Sequence, residues 1–91
     1  MLQNEIVKLV EILQSAGNEV SSFAETSSET YAEIIEFKVW FDEKSPTENT
    51  VKIAKDFAVI GYEILLLDRT SYPKAVIQII PTGSRPMSYA I

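Results

Sequence analysis

The sequence contains no cysteine and no histidine. Without thiols the chain has no disulfide framework and no thiolate nucleophile or metal ligand, and the missing imidazoles argue against the usual zinc and haem sites. Its three glycines are isolated, at positions 17, 61 and 83, so no glycine-rich phosphate loop is present. No serine lies in a nucleophile-elbow sequence. We therefore predict a protein without enzymatic activity, without a cofactor and without a bound metal.

Long apolar runs are missing as well. The longest unbroken apolar stretch near the chain centre is Ile64 to Leu67, which is far too short for a membrane-spanning helix. Glu5 stands where a secretory signal would carry positive charge, and this predicts a cytoplasmic protein. A chain of 91 residues with 46% apolar and 23% charged side chains has the composition of one soluble domain. We place this domain at residues 1–80, followed by an extended tail at 81–91.

The net charge of −5 is unevenly distributed along the chain. Residues 1–50 carry ten acidic residues against three lysines, whereas residues 51–91 carry three acidic against five basic residues. The acidic half repels phosphate backbones, which argues against nucleic acid as a partner. Two alternative functions stay open. One is an acidic inhibitor or decoy that binds a basic protein surface, and the other is a weak nucleic-acid-binding sandwich that stacks bases on aromatic side chains.

Hydrophobic periodicity predicts two helices and four strands, in the order helix-strand-strand repeated once. Apolar residues at helical spacing between Leu2 and Ala16 predict the first helix. Ser45, Pro46 and Glu48 are typical of a capped helix start, and they predict the beginning of the second helix. The predicted strands are Val20 to Glu25, Tyr31 to Phe41, Glu63 to Asp68, and Ala75 to Ile80.

The two halves of the predicted domain resemble each other at an offset of 44 residues. The identical pairs are Val7 and Val51, Lys8 and Lys52, Gly17 and Gly61, Glu19 and Glu63, Thr26 and Thr70, and Ser27 and Ser71. Two explanations stay open: a duplication with repeats 1–44 and 45–80, or convergence on the same helix stops and turns. In both cases we expect an α+β sandwich whose two helices cover one face of a four-stranded sheet.

Two strand orders fit this layout. If the last strand lies beside the strand from Tyr31 to Phe41, the fold is a circularly permuted ferredoxin-like sandwich, because moving that strand to the front gives strand-helix-strand-strand-helix-strand. Alternatively the order is sequential, and the strands that flank the second helix are adjacent and parallel. The residues Ile64 to Leu67 are apolar on both strand faces, which favours a central position for that strand or an edge covered by another subunit.

One face of the sheet has no helix in either order, and it carries the candidate functional residues. They are Ile34, Glu36, Lys38, Trp40 and Leu66. An aromatic and several aliphatic side chains ringed by charges on an open sheet are typical of a protein interface. We predict a protein–protein interaction module that forms a homodimer, because small pseudo-symmetric sandwiches pair sheet to sheet.

The C-terminal tail completes the predicted interface. Two prolines and one glycine within residues 81–91 exclude a helix there. Met87, Tyr89 and Ile91 alternate with other residues, as an added strand or a clamp requires. We expect these three side chains to pack on a surface outside the tail, on the other subunit.

Overall fold

Two helices and four strands follow one another in the predicted order in the computed structural model. The structure describes residues 3–41 and 46–84. The elements are α1 (Gln3–Ser15), β1 (Asn18–Thr26), β2 (Ile34–Phe41), α2 (Pro46–Val59), β3 (Tyr62–Asp68) and β4 (Lys74–Pro81). The predicted α+β sandwich of two helix-strand-strand units is confirmed.

The strands form one antiparallel sheet in the order β1-β2-β4-β3. Because β4 pairs with β2, the strand order is that of the circularly permuted alternative, and the sequential order is wrong. The strand that contains Ile64 to Leu67 lies at an edge, so of the two positions expected for it the central one is excluded. Burial gives the physical reason. Ala75, Ile77, Ile79 and Ile80 of β4 are buried, whereas no side chain of β3 is fully buried.

The hydrophobic core lies between the helices and one face of the sheet. Its buried side chains are Leu9 and Leu13 of α1, Ile53 and Phe57 of α2, Ile35, Phe37, Val39 and Phe41 of β2, and Ala75, Ile77 and Ile79 of β4. In each helix the two buried residues are four positions apart, so they lie on one face. The first helix packs on β1 and the second on β3, which places the helices side by side. Neither helix of the described residues is long and apolar enough to cross a membrane.

The two helix-strand-strand units are built alike in detail. Gly17 and Gly61 follow the two helices with φ angles of 92° and 86°, a conformation that glycine adopts without strain. In both units the first strand has an irregularity at the same place, because the pairing register shifts at Ser21 in β1 and at Leu65 in β3. The buried helix residues also keep the offset of 44. The origin of repeats 1–44 and 45–80 by duplication stays a prediction.

Two hydrogen bonds join the units at equivalent positions. The Asn18 Nδ2 atom donates to Asn49 Oδ1, and the Tyr62 hydroxyl donates to Glu5 Oε2, both at 3.0 Å. Each bond connects the helix of one unit with the first residue of the other unit's first strand. The helix residues Glu5 and Asn49 are 44 positions apart, and so are the strand residues Asn18 and Tyr62. The same cross-connection is therefore built twice, with different side chains.

Tyr62 makes the stability of the fold sensitive to alkaline pH. Burial, the hydrogen bond to Glu5, and the negative charges of Glu5 and Glu33 raise the pKa of Tyr62 to about 12. Between its ordinary value of 10.0 and about 12, the unfolded chain loses this proton and the folded protein keeps it. Stability that is fully present below pH 10 is therefore lost as the pH rises through this window.

We expect Tyr62→Phe to remove this part of the pH dependence, because phenylalanine has no proton to lose. The measurement is the free energy of unfolding in urea at several pH values from 9 to about 12, for both proteins. All other side chains are the same in both proteins, so the difference between the two curves isolates Tyr62. Parallel curves over the whole range would contradict the assignment.

Candidate interaction surface

The face of the sheet that points away from α1 and α2 is called the open face below. The strand register arranges its side chains in four rows across the strands. The rows are Glu19, Trp40 and Lys74; then Ser22, Lys38, Val76 and Asp68; then Ala24, Glu36, Gln78 and Leu66; and finally Thr26, Ile34, Ile80 and Glu63. The first two rows form the Trp40 end of the open face.

The structure brings four of the predicted interface residues together on the open face. Trp40 is 42% exposed and Leu66 is 45% exposed. Lys38 is exposed between them. Glu36 is half-buried, and its Oε2 atom accepts a hydrogen bond from Gln78 Nε2 at 2.8 Å.

The other predicted interface residues are either buried or outside the described residues. Ile34 lies on the open face but is only 3% exposed, and its neighbour across the strands, Ile80, is only 2% exposed. That end of the open face therefore offers little apolar surface for further contact, and the direct contribution of Ile34 to an interface is small. Met87, Tyr89 and Ile91 lie outside the described residues.

Sequence reasoning missed the residues that β4 contributes, and Lys74 is the clearest case. Its Nζ atom lies 5.1 Å from the centre of the Trp40 ring, a cation–π contact between directly paired residues. The alternation of Lys74, Val76 and Gln78 with buried residues indicated that they share a face. The position of β4 beside β2 could not be predicted, because no local sequence pattern shows which strands are adjacent.

A cavity of about 330 Å³ lies at the Trp40 end of the open face. Its lining residues include Trp40, Lys38, Lys74, Asp68 and Ser71. The lining residues come from all four strands and from the turn before β4. Only the folded sheet brings them together. It offers one large aromatic wall and charges of both signs.

Asp68 adds a negative charge to the lining of this cavity. Its Oδ1 atom accepts hydrogen bonds from the Thr70 backbone N–H at 2.9 Å and from the Thr70 hydroxyl at 2.7 Å. These bonds favour the ionised form and lower the pKa of Asp68. The Trp40 end therefore combines two ammonium groups with a carboxylate that stays charged well below neutral pH.

Within residues 3–41 and 46–84, no three acidic, histidine or cysteine side chains are placed to hold a metal ion together. The open face instead presents an indole, exposed aliphatic groups, and neighbouring side chains of opposite charge. These are the components from which protein interfaces are assembled.

Comparison with protein families, curated proteins and solved structures finds no match for this chain. The fold defines the class as a two-layer α+β sandwich, in which neither helix of residues 3–41 and 46–84 covers the open face of the antiparallel sheet.

Proposed function

We propose that this protein is a non-enzymatic protein–protein interaction module that forms a homodimer through the open face. The observation that carries the proposal is the exposure of Trp40 and Leu66 on a sheet face that neither α1 nor α2 covers. An antiparallel sheet face that meets water is normally polar, and large apolar groups there favour a partner. A cytoplasmic location belongs to the same proposal.

The position of β3 supports a partner subunit. A strand whose residues are apolar on both faces needs either a central position or a cover at the edge. The strand lies at the edge, with Ile64 and Leu67 towards the core and Leu66 on the open face. A second copy on the open face supplies the cover that Leu66 lacks within its own chain.

The size of the open face is in keeping with a dimer of moderate affinity. Four strands about 4.8 Å apart, each about 25 Å long, give a flat area of about 500 Å² for each copy. Two such areas give about 1,000 Å², which is near the lower limit for specific interfaces. We therefore expect a dissociation constant in the micromolar range rather than the nanomolar range.

Trp40→Ala tests the proposal directly. We expect the substitution to weaken dimerisation by about 2 kcal/mol, or about thirtyfold in dissociation constant, because aromatic anchors dominate such interfaces. The monomer fold should survive, since the indole lies outside the hydrophobic core. The measurement is sedimentation velocity over a dilution series, with circular dichroism to verify the fold.

Phe23→Ala is the matched control for this test. Phe23 is 51% exposed, like Trp40, but it lies on the opposite face of the sheet in β1, beside Phe37. Its replacement should leave the dissociation constant unchanged. A wild-type chain that stays monomeric at every concentration, or equal weakening by both substitutions, would refute the open face as the dimer interface.

One observation favours the nucleic-acid alternative, although less strongly. Lys38 and Lys74 flank the exposed ring of Trp40, and single-stranded nucleic-acid sites combine aromatic platforms with cations in this way. Glu19 pairs with Trp40 across the strands, and Asp68 lies at the cavity rim. These two carboxylates oppose the approach of phosphates, so we rank protein binding first.

A further inference from the structure

Two copies of the open face can meet about a twofold axis in two simple ways, and the structure distinguishes between them. Both possible axes lie parallel to the plane of the sheet. One runs parallel to the strands, between β2 and β4, and the other runs perpendicular to the strands, at the level of the paired residues Phe37 and Ile77. We propose that the axis runs across the strands, so that Lys38 of each copy faces Glu36 of the other copy. This inference rests on the proposed function and specifies how the two copies pair.

The charges of β2 are the first argument for this axis. Glu36 and Lys38 lie two residues apart on the same face of β2, about 7 Å from each other. A twofold axis across the strands passes between them and forms two opposite-charge pairs. The hydrogen bond from Gln78 holds the Glu36 carboxylate in position for this contact. Sheets that pack face to face are about 10 Å apart, a distance that a lysine and a glutamate side chain together span.

The other axis brings like charges of β2 together. With the axis along the strands, Glu36 of one copy faces Gln78 of the other, and Lys38 faces Val76, since these are the paired positions of β2 and β4. The two Glu36 side chains then lie beside each other, and so do the two Lys38 side chains, which have Asp68 of the other copy near them as well. Like charges that meet across an interface are unfavourable, and this argues for the axis across the strands.

The shape of the open face is the second argument. The cavity lies at the Trp40 end, whereas the exposed Leu66 lies in the other half of the open face. An axis across the strands exchanges the two halves, so that the row of Ile34 and Ile80 of one copy faces Trp40 and Lys74, which line the cavity of the other. An axis along the strands instead places the two Trp40 ends together, with cavity opposite cavity. Apolar side chains that face a cavity lose less dispersion energy than two cavities that face each other.

Complementary charge reversal tests the axis. Glu36→Lys places lysines opposite lysines in its own dimer, and Lys38→Glu places glutamates opposite glutamates. We expect each variant alone to dimerise at least about tenfold more weakly than the wild type, because like charges face each other twice. In an equimolar mixture the two variants should bind each other with a dissociation constant within about threefold of the wild-type value. Every pair of facing charges in this heterodimer is of opposite sign. Sedimentation velocity and fluorescence anisotropy with one labelled variant measure the three constants.

Lys8→Glu and Glu11→Lys are the matched controls. Both residues are exposed on α1, away from the open face, and the substitutions change the net charge by the same amounts. Each control variant should dimerise like the wild type. Circular dichroism verifies that all four variants fold.

The outcomes separate the axis from the dimer itself. If the wild type dimerises and the mixture stays as weak as its components, the axis is wrong and the proposed function stands. If the wild type is monomeric at every concentration, the proposed function fails and the axis fails with it. Weakening in both single variants, recovery of the wild-type affinity in the mixture and unchanged control variants together support the axis across the strands, whereas a mixture that binds more tightly than the wild type indicates the axis along the strands.

Discussion

Phe37→Ala lowers the free energy of unfolding by about 4 kcal/mol, the largest effect that we expect from a single substitution in this protein. Phe37 is fully buried at the centre of the core face of the sheet, paired with Ile77 on β4 and Phe23 on β1. Alanine removes the ring from between the two central strands and leaves a cavity that the flanking strands cannot close. A domain of this size has a total stability of roughly 5–14 kcal/mol, so the loss is a large fraction of it.

Urea unfolding followed by circular dichroism measures this loss, and Phe23→Ala is the reference. The two rings are in contact, with centroids 6.3 Å apart, but Phe23 is half-exposed. We expect about 1 kcal/mol for Phe23→Ala, because water already reaches much of this side chain. If Phe37→Ala does not fold at all, Phe37→Leu should still fold, with a loss of about 1–2 kcal/mol. A loss below about 1 kcal/mol for Phe37→Ala would show that Phe37 is not the centre of the core.

Asn49→Ala lowers the free energy of unfolding by about 3 kcal/mol, the second largest effect, although it removes only a small polar group. The buried Asn49 amide accepts a hydrogen bond from Asn18 Nδ2 and donates one to the Ala16 carbonyl oxygen at 2.8 Å. The Asn18 Oδ1 atom has no hydrogen-bond partner among the described residues. Alanine at position 49 therefore leaves the buried Asn18 amide without the bond that compensates its desolvation.

A double-mutant cycle distinguishes this explanation from a simple loss of packing. Asn18→Ala and Asn49→Ala together should cost less than the sum of the two single substitutions, because the double variant leaves no unpaired amide in the interior. The free energies of unfolding of the four proteins give the coupling energy. Strict additivity would show that the two amides do not depend on each other. The equivalent bond between Glu5 and Tyr62 is less buried, so Tyr62→Phe at neutral pH should cost about 1 kcal/mol or less.

The secondary structure of this protein was predictable because its signals are local. The alternation of Ile35, Phe37 and Val39 with polar residues is a property of one strand, and it holds whatever lies beside that strand. The glycines at 17 and 61 end the helices through their own φ angles. The strand boundaries followed to within one residue, except that β1 begins at Asn18, two residues earlier than predicted, and β2 begins at Ile34, three residues later than the predicted Tyr31.

The candidate interface was predictable only in part. Glu36, Lys38 and Trp40 belong to one strand, so the alternation alone places them on one face. The same alternation also placed Ile34 there, but it could not show that Ile34 is buried, because burial depends on groups that are distant in the sequence. Leu66 lies on the open face because the irregularity at Leu65 shifts the pairing register by one residue.

The sequence by itself determined the elements, their order and the apolar side of each, since helix and strand periods depend on neighbours a few residues apart. Only the tertiary structure decided that β4 lies between β2 and β3, and with it the contact of Lys74 with Trp40 and the cavity beside them. The physical reason is that strand pairing is decided by the burial of the whole sheet. The backbone hydrogen bonds are the same for every strand order, and only the packing of all the side chains together distinguishes one order from another.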